Sequence, residues 1–302
     1  MKLHEDKELF EQIIEIAAAE LNINAAIIEK DYFVTYILKQ LVDRDPCIIF
    51  KGGTSLSKCY KIIERFSEDI DLSYENGMDK MTEGMRRKLC KMIIDVIERC
   101  EMELSNRDEI RSRREFNRFI IKYESEYSIE SLKPHLIVET AISIRSFPTE
   151  LLDADSYIYH ILKKRNLDDL IAQYQLAPFK VKVQKLERTF VDKVFAVCDY
   201  YLNGNIKEHS RHLYDLYKLY PKIKFDDELS KLILEVRIMR SENKMCLSAQ
   251  KDCDINEVLR KIIARDFYKK DYEEITKDLL FEDVDYDKVI INLLQISTLG
   301  IF

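Results

Sequence analysis

Two short stretches between residues 52 and 71 carry residue types suited to chemistry on phosphates. The first, Gly52-Gly53-Thr54-Ser55, follows the apolar run Cys47-Ile48-Ile49-Phe50 and precedes a helical stretch with Leu56, Tyr60, Ile62, Ile63 and Phe66. It therefore reads as strand, glycine turn, helix. Such a turn aims backbone N–H groups into one small volume, and a helix N-terminus favours anions through its unpaired donors and its dipole. Thr54 or Ser55 is expected to cap the helix and to offer a hydroxyl to a phosphate. Read without function, the same residues make an ordinary strand-to-helix connection. They are not a Walker A loop, because Lys58 follows Ser57 without the preceding glycine that the loop requires.

The second stretch is Arg65-Phe66-Ser67-Glu68-Asp69-Ile70-Asp71-Leu72, with a strand expected at about 69–74. Residues two apart in a strand share a face, so Asp69 and Asp71 point one way and Ile70 and Leu72 the other. Two carboxylates held side by side repel unless a cation sits between them. Mg²⁺ suits a few carboxylates together with substrate phosphates, with Mn²⁺ as a substitute, and a pair of such ions clamps the attacking and leaving oxygens of a displacement at phosphorus. An acidic edge strand with a wet face gives the same spelling. The order strand, Gly-Gly, helix, Asp-x-Asp strand favours the chemical reading, since it sets a phosphate cradle beside a metal cradle. Glu139, inside the apolar run Leu136-Ile137-Val138, is the candidate third metal carboxylate; its alternative is a polar residue on an exposed strand face.

These residues need a scaffold. Helical spacing over residues 5–43 predicts two helices with a turn at Asn22 to Asn24, and a long helix is expected over 79–101. Further strands are expected at 119–123 and 136–144. Beyond Pro148 the pattern turns helical, apart from a short strand around Val181 and Val183. The fold class is α+β: a small mixed sheet with flanking helices, a helical arm at 1–45, a core at 46–147 and a large helical domain at 148–302.

Composition excludes several other classes. The chain of 302 residues is 46% apolar and 34% charged with net charge −7, so it holds enough apolar material for a real core and is too acidic for bulk nucleic-acid coating. Seven scattered Cys without a C-x-x-C, and five His without H-E-x-x-H, argue against a disulfide framework, a zinc knuckle or a zincin. No apolar run approaches the ~18 residues of a membrane helix, and the first residues lack a signal-peptide core, so a cytoplasmic protein is expected. Basic residues cluster at 107–122, which reads as an RNA-backbone contact or as a solvated hairpin or loop, and again at Lys180, Lys182, Lys185 and Arg188, which lie just before Lys193 and are the favoured path for an acceptor. An acidic run from Asp271 to Asp287 could dock a basic partner or simply be a solvated face.

The two stretches, with Ile28-Glu29-Lys30-Asp31-Tyr32-Phe33-Val34, Glu187-Arg188-Thr189-Phe190-Val191-Asp192-Lys193 and Arg211-His212-Leu213-Tyr214-Asp215-Leu216-Tyr217, resemble the AbiEii-type nucleotidyltransferases. These are toxin components of type IV toxin–antitoxin and abortive-infection systems, built on the nucleotidyltransferase fold of DNA polymerase β. The chain departs from the family at Phe33, where Trp is common, and at His212, where an acid is common. The resemblance implies that Gly52, Gly53, Thr54 and Ser55 meet nucleotide phosphates and that Asp69 and Asp71 bind Mg²⁺. It implies that Lys193 meets the triphosphate and that Asp215 is a further catalytic acid, as base or orienter. The implied reaction moves a nucleoside monophosphate from an NTP to a hydroxyl, for several relatives the 3′ end of tRNA, with an antitoxin as partner. A protein or small-molecule hydroxyl, or a module that binds without catalysis, are the alternatives. From spacing alone, Arg211, four residues before Asp215, is a candidate ion-pair partner for it.

Overall fold

The computed structural model describes residues 2–75, 77, 81–129 and 132–302. The chain forms two compact units, Met1–Lys61 with Ser67–Val183, and Ile62–Phe66 with Gln184–Phe302.

The first unit is built on a seven-stranded mixed sheet in the order β3-β4-β5-β2-β1-β7-β6. Its strands are β1 (Ile48–Lys51), β2 (Asp69–Tyr74), β3 (Glu103–Leu104), β4 (Phe116–Lys122), β5 (Leu136–Ala141), β6 (Thr149–Ala154) and β7 (Phe179–Gln184). Its helices are α1 (Lys7–Leu21), α2 (Ala25–Arg44), α3 (Gly52–Lys58), α4 (Glu83–Arg99), α5 (Tyr157–Lys164) and α6 (Asp168–Gln173). Asn22 takes a left-handed conformation to end α1, and the Asn24 side chain accepts from Ala26 N to start α2, as the asparagine turn predicts. The expected helix over 79–101 is observed as α4; residues 79 and 80 lie outside the described residues.

Strand β2 is central. It pairs antiparallel with β1, Lys51 opposite Asp71, and parallel with β5, Asp71 opposite Glu139. Alternation sends Ile70 and Leu72 of β2, Leu136 and Val138 of β5, and Phe119 and Ile121 of β4 into one buried face. Helix α2 packs on β2 and β5 from that side, and α4 packs on α2. Ile70 and Leu72 are 0% and 1% exposed, and burial of each such side chain stabilises the unit by about 1.5–3 kcal/mol. The opposite face carries Asp69, Asp71 and Glu139.

Two expectations about organisation change. The helices of 1–45 are not an appended arm: Leu3, Phe10, Ile14 and Ile28 share one core with Ile70 and Val138. The boundary expected at 147/148 lies at 183/184 instead, because β6 and β7 continue the sheet. Strand β6 is an edge strand reading Thr-Glu-Leu-Leu-Asp-Ala, and Leu151 is 60% exposed, so its sequence lacks the apolar alternation of a half-buried strand.

The second unit is helical, with α7 (Leu186–Leu202), α8 (Arg211–Leu219), α9 (Asp227–Ser241), α10 (Ile255–Ala264), α11 (Lys269–Asp271, running on into a π-turn at Tyr272–Thr276) and α12 (Tyr286–Thr298). It also includes the strap Ile62–Phe66, whose backbone pairs with residues 279–281: Phe66 N donates to Leu279 O, and Phe281 N to Glu64 O. No helix among the described residues is long and apolar enough to cross a membrane.

Candidate active site

In the first unit, the glycine turn and the aspartate strand meet. Gly52 has φ +78°, and a Cβ built on it would lie 2.0 Å from Asp71 Oδ2. The Asp71 carboxylate therefore rests against the Gly52 backbone, in a space that only a residue without a side chain leaves open. Thr54 reinforces the join: its Oγ1 donates to the Asp69 carbonyl (2.5 Å) and lies 2.9 Å from Ser67 Oγ. Ser55 Oγ donates to Gly52 O at 2.9 Å. Both hydroxyl residues are buried, and Lys51 is the N-cap of α3, with no side-chain cap. The expected cap from Thr54 or Ser55 is thus absent, because the helix begins at Gly52 and places both residues inside its first turn. Their hydroxyls hold α3 to β2 and to itself.

Helix α2 clamps this arrangement with three consecutive buried charged residues. Lys30 Nζ pairs with Glu68, immediately before Asp69, and donates to Lys133 O at 2.5 Å. Burial pushes the Lys30 ammonium down from its ordinary range, against the pull of Glu68. Asp31 accepts from Lys58 Nζ at the end of α3 (2.6 Å) and from Tyr157 N (2.9 Å). Glu29 accepts from Ser125 Oγ and from Glu126 N. One turn of helix thereby fixes the far end of α3 and the residue preceding the aspartates.

The Lys133 ammonium stands 3.5 Å from Glu68 Oε1 and 3.7 Å from Asp69 Oδ1, so a cation already occupies the flank of the acid row. Asp69 and Asp71 share a sheet face and supply the hard oxygen donors that a divalent ion takes. Glu139 lies opposite Asp71 on that same face, but its Oε1 is bound by Arg118 Nε at 2.6 Å. Among the described residues, no group of three His, Cys, Asp or Glu side chains stands together as a metal site. The expected third ligand is therefore turned to a guanidinium, whose charge satisfies it, while the aspartate pair fits a divalent ion.

In the second unit a buried charge cluster surrounds Asp215 on α8, which is 0% exposed. Arg65 from the strap grips both its oxygens, Nε to Oδ1 at 2.7 Å and Nη2 to Oδ2 at 2.8 Å. Lys193 Nζ on α7 donates to Oδ2 at 2.5 Å and lies 3.4 Å from His212 Nδ1. Burial would raise the Asp215 carboxyl, but the Arg65 and Lys193 charges outweigh it and hold it far below the usual carboxylate range. Burial pushes Lys193 down while Asp215 opposes the shift. With two cations on one carboxylate, Asp215 stays ionised.

A family model describing the nucleotidyl transferase AbiEii toxin of type IV toxin–antitoxin systems matches residues 36–292, most of the chain. The chain belongs to the AbiEii family. AbiEii proteins are nucleotidyltransferases, enzymes that generally use divalent metals, and the family implies an NTP substrate and an antitoxin partner. The fold is also similar to that of MenT4, a nucleotidyltransferase toxin from Mycobacterium tuberculosis H37Rv, with TM-score 0.60 and 16% identity over 95% of this chain and 88% of that one. Comparison with curated protein sequences finds no match.

Within this AbiEii chain, Gly52 and Asp71 meet in the first unit, as the order of turn and strand suggests, while the ion pair of Lys193 with Asp215 in the second is one that the sequence analysis did not anticipate. Sequence reasoning missed Arg65, Lys30, Lys58 and Lys133. Arg65 is 150 positions from Asp215, a range at which helical spacing gives no signal, and it takes the role expected of Arg211. Lys30 and Lys58 stood inside the family-like segments, but nothing in their spacing named their partners.

Two expected results arise here. Gly52→Ala forces both a left-handed alanine and a clash with Asp71, and left-handed geometry alone costs about 1–2 kcal/mol. Nucleotide transfer by this variant should fall at least about tenfold, the equivalent of that cost; wild-type turnover would disprove the contact between turn and strand. The second concerns acid. Burial, and then the neighbouring Lys193 and Arg211 charges, hold His212 well below its ordinary value. The ring is then neutral in the fold and protonates in the unfolded chain below about pH 6.5. The unfolded state binds more protons, so stability present above that pH is lost as pH falls through it. In His212→Gln, the urea midpoint should change less between pH 7 and pH 5 than in the wild type. An equal change in both would mean that His212 is already charged.

Proposed function

We propose that this AbiEii protein moves a nucleoside monophosphate from an NTP to an RNA hydroxyl, the 3′ end of tRNA, in the cytoplasm. The hydroxyl oxygen forms a bond to the α-phosphorus as its proton passes to solvent, the bond between the α-phosphorus and the oxygen bridging to the β-phosphorus breaks, and pyrophosphate leaves with that oxygen. The observation that carries the reading is the Asp71 carboxylate seated on the Gly52 backbone, which joins a phosphate-suited turn to a metal-suited acid pair. Asp69 and Asp71 would hold Mg²⁺, with Mn²⁺ as its substitute. The ion, when bound, supplies charge neutralisation at the reacting phosphate.

The chain's own residues do the positioning. The Gly52-Gly53 backbone meets the phosphates, while Thr54 locks the turn to Asp69 and Ser55 holds the Gly52 carbonyl. Lys193 is the proposed triphosphate cation. Asp215 is the orienter of that cation and not a base, because both its oxygens are engaged and it holds its charge far into acid. Such an arrangement contributes through electrostatic preorganisation.

The test incubates the protein with each α-labelled NTP, Mg²⁺ and total tRNA. Label retained on RNA supports the reading. Label migrating with protein or with an added aminoglycoside moves the acceptor to a protein or small-molecule hydroxyl. NTP binding without transfer to any acceptor would reduce the chain to a binding module.

A further inference from the structure

The cation at the flank of the aspartates is held firmly by its backbone and loosely by its charge. Lys133 precedes Pro134, and a residue before proline is restricted to extended backbone. Four residues on, Ile137 of β5 pairs with Asp69 of β2. The Lys133 carbonyl accepts from Lys30 Nζ at 2.5 Å, and the same buried ammonium pairs with Glu68 Oε2. Lys30 thereby ties the Lys133 backbone to the residue preceding Asp69. What is left to turn is the Lys133 side chain, a flexible four-carbon stem that is 35% exposed.

Arg118 and Lys133 stand against these acids at different distances. Arg118 Nε is bonded to Glu139 Oε1 at 2.6 Å. Lys133 Nζ lies 3.5 Å from Glu68 Oε1 and 3.7 Å from Asp69 Oδ1, beyond the ~2.7–2.9 Å of a charge-assisted hydrogen bond. Lys30 already answers Glu68, so the Lys133 charge falls chiefly to Asp69. It is attracted there by charge, without a short bond to fix it. A divalent ion on Asp69 would meet this ammonium as a like charge a few ångströms away, where two cations repel.

We propose that Lys133 is the resident counter-cation of Asp69, which a divalent ion has to displace in order to bind the aspartate pair. The inference rests on the reading of Asp69 and Asp71 as the metal pair and adds the residue that sets their affinity. Two carboxylates on one strand face repel, and a neighbouring ammonium relieves that repulsion. The same ammonium weakens the hold of the pair on a metal, because the ion and the lysine compete for one carboxylate. Lys30 and Pro134 keep the backbone in place, so the displaced ammonium swings out on its own stem and the strand does not move. Lys133 is a positioning residue, since it acts through Asp69.

The experiment uses Mn²⁺ as the probe, because the free ion gives an electron paramagnetic resonance signal that is lost on binding. It is titrated without nucleotide into wild type, Lys133→Met, Lys133→Arg, Asp69→Asn and the double variant Asp69→Asn with Lys133→Met. A charge within about 4–6 Å of a carboxylate changes its proton affinity by about ten- to a thousandfold, and exposure to screening water sets Lys133 at the low end. Lys133→Met should therefore bind Mn²⁺ about tenfold more tightly than wild type, and the gap should narrow as NaCl is raised. Lys133→Arg keeps the charge and should bind as wild type does. Asp69→Asn should weaken binding in either background. Equal or weaker binding by Lys133→Met than by wild type, with Asp69→Asn weakening both, would overturn the counter-cation and leave the metal pair standing. Binding by Lys133→Arg as tight as by Lys133→Met would make the effect one of shape and also overturn it. If Asp69→Asn changes nothing in either background, the ion lies elsewhere, and metal pair and counter-cation fall together.

Discussion

Asp69→Asn is expected to abolish nucleotide transfer and to leave the fold intact. Asparagine keeps the shape of the side chain and the backbone carbonyl that Thr54 holds, so the join between α3 and β2 survives. It removes one of the two negative charges on the face of β2, and a neutral amide oxygen is a poor ligand for a hard cation. Removal of a preorganised electrostatic group at a reacting centre costs about a hundred- to a thousandfold in rate. Stability should hold or rise, because adjacent like charges repel. The measurement is label retained on RNA, with the thermal midpoint of both proteins. Equal labelling would remove Asp69 from the metal site.

Asp215→Asn should instead act on stability. In the wild type, one carboxylate answers both Arg65 and Lys193, all three nearly excluded from water. Asparagine removes the carboxylate that both buried cations share, and breaking a buried pair in this way costs about 3–5 kcal/mol. For a unit of this size that is a fall in midpoint of roughly 10 °C. Lys193 would also lose the group that aims it, so transfer should fall even under conditions where the variant is folded. The double variant Arg65→Met with Asp215→Leu separates the two effects: an apolar replacement should recover much of the stability and none of the activity. An Asp215→Asn midpoint within about a degree of wild type would show that water or another group already serves the cations.

The legible and illegible parts of this chain divide by range. Strand β2 was readable to its ends because Asp69-Ile70-Asp71-Leu72 alternates strictly, and the turn at Asn22 and Asn24 was readable because those side chains act on their own neighbours. The meeting of Gly52 with Asp71 followed from strand pairing across a short connection. Strand β6 escaped because an edge strand need not alternate. Thr54 and Ser55 were misread as caps because the helix starts two residues earlier than their spelling suggests. Glu139 was placed correctly on its strand, but the sequence did not reveal that Arg118, 21 positions away on β4, would hold its charge.

The strap Ile62–Phe66 makes the two units inseparable by a single cut. The chain leaves the first unit after Lys61, lends five residues to the second, and returns at Ser67 to build β2. A fragment ending at residue 183 would keep the strap but lose Tyr214, Asp215 and the 279–281 segment that it binds. Arg65, four residues before the DxD strand begins, would then lose the carboxylate that it grips. Dissection of this protein therefore calls for internal splicing across 62–66, and a simple deletion series would mistake a broken tether for a lost function.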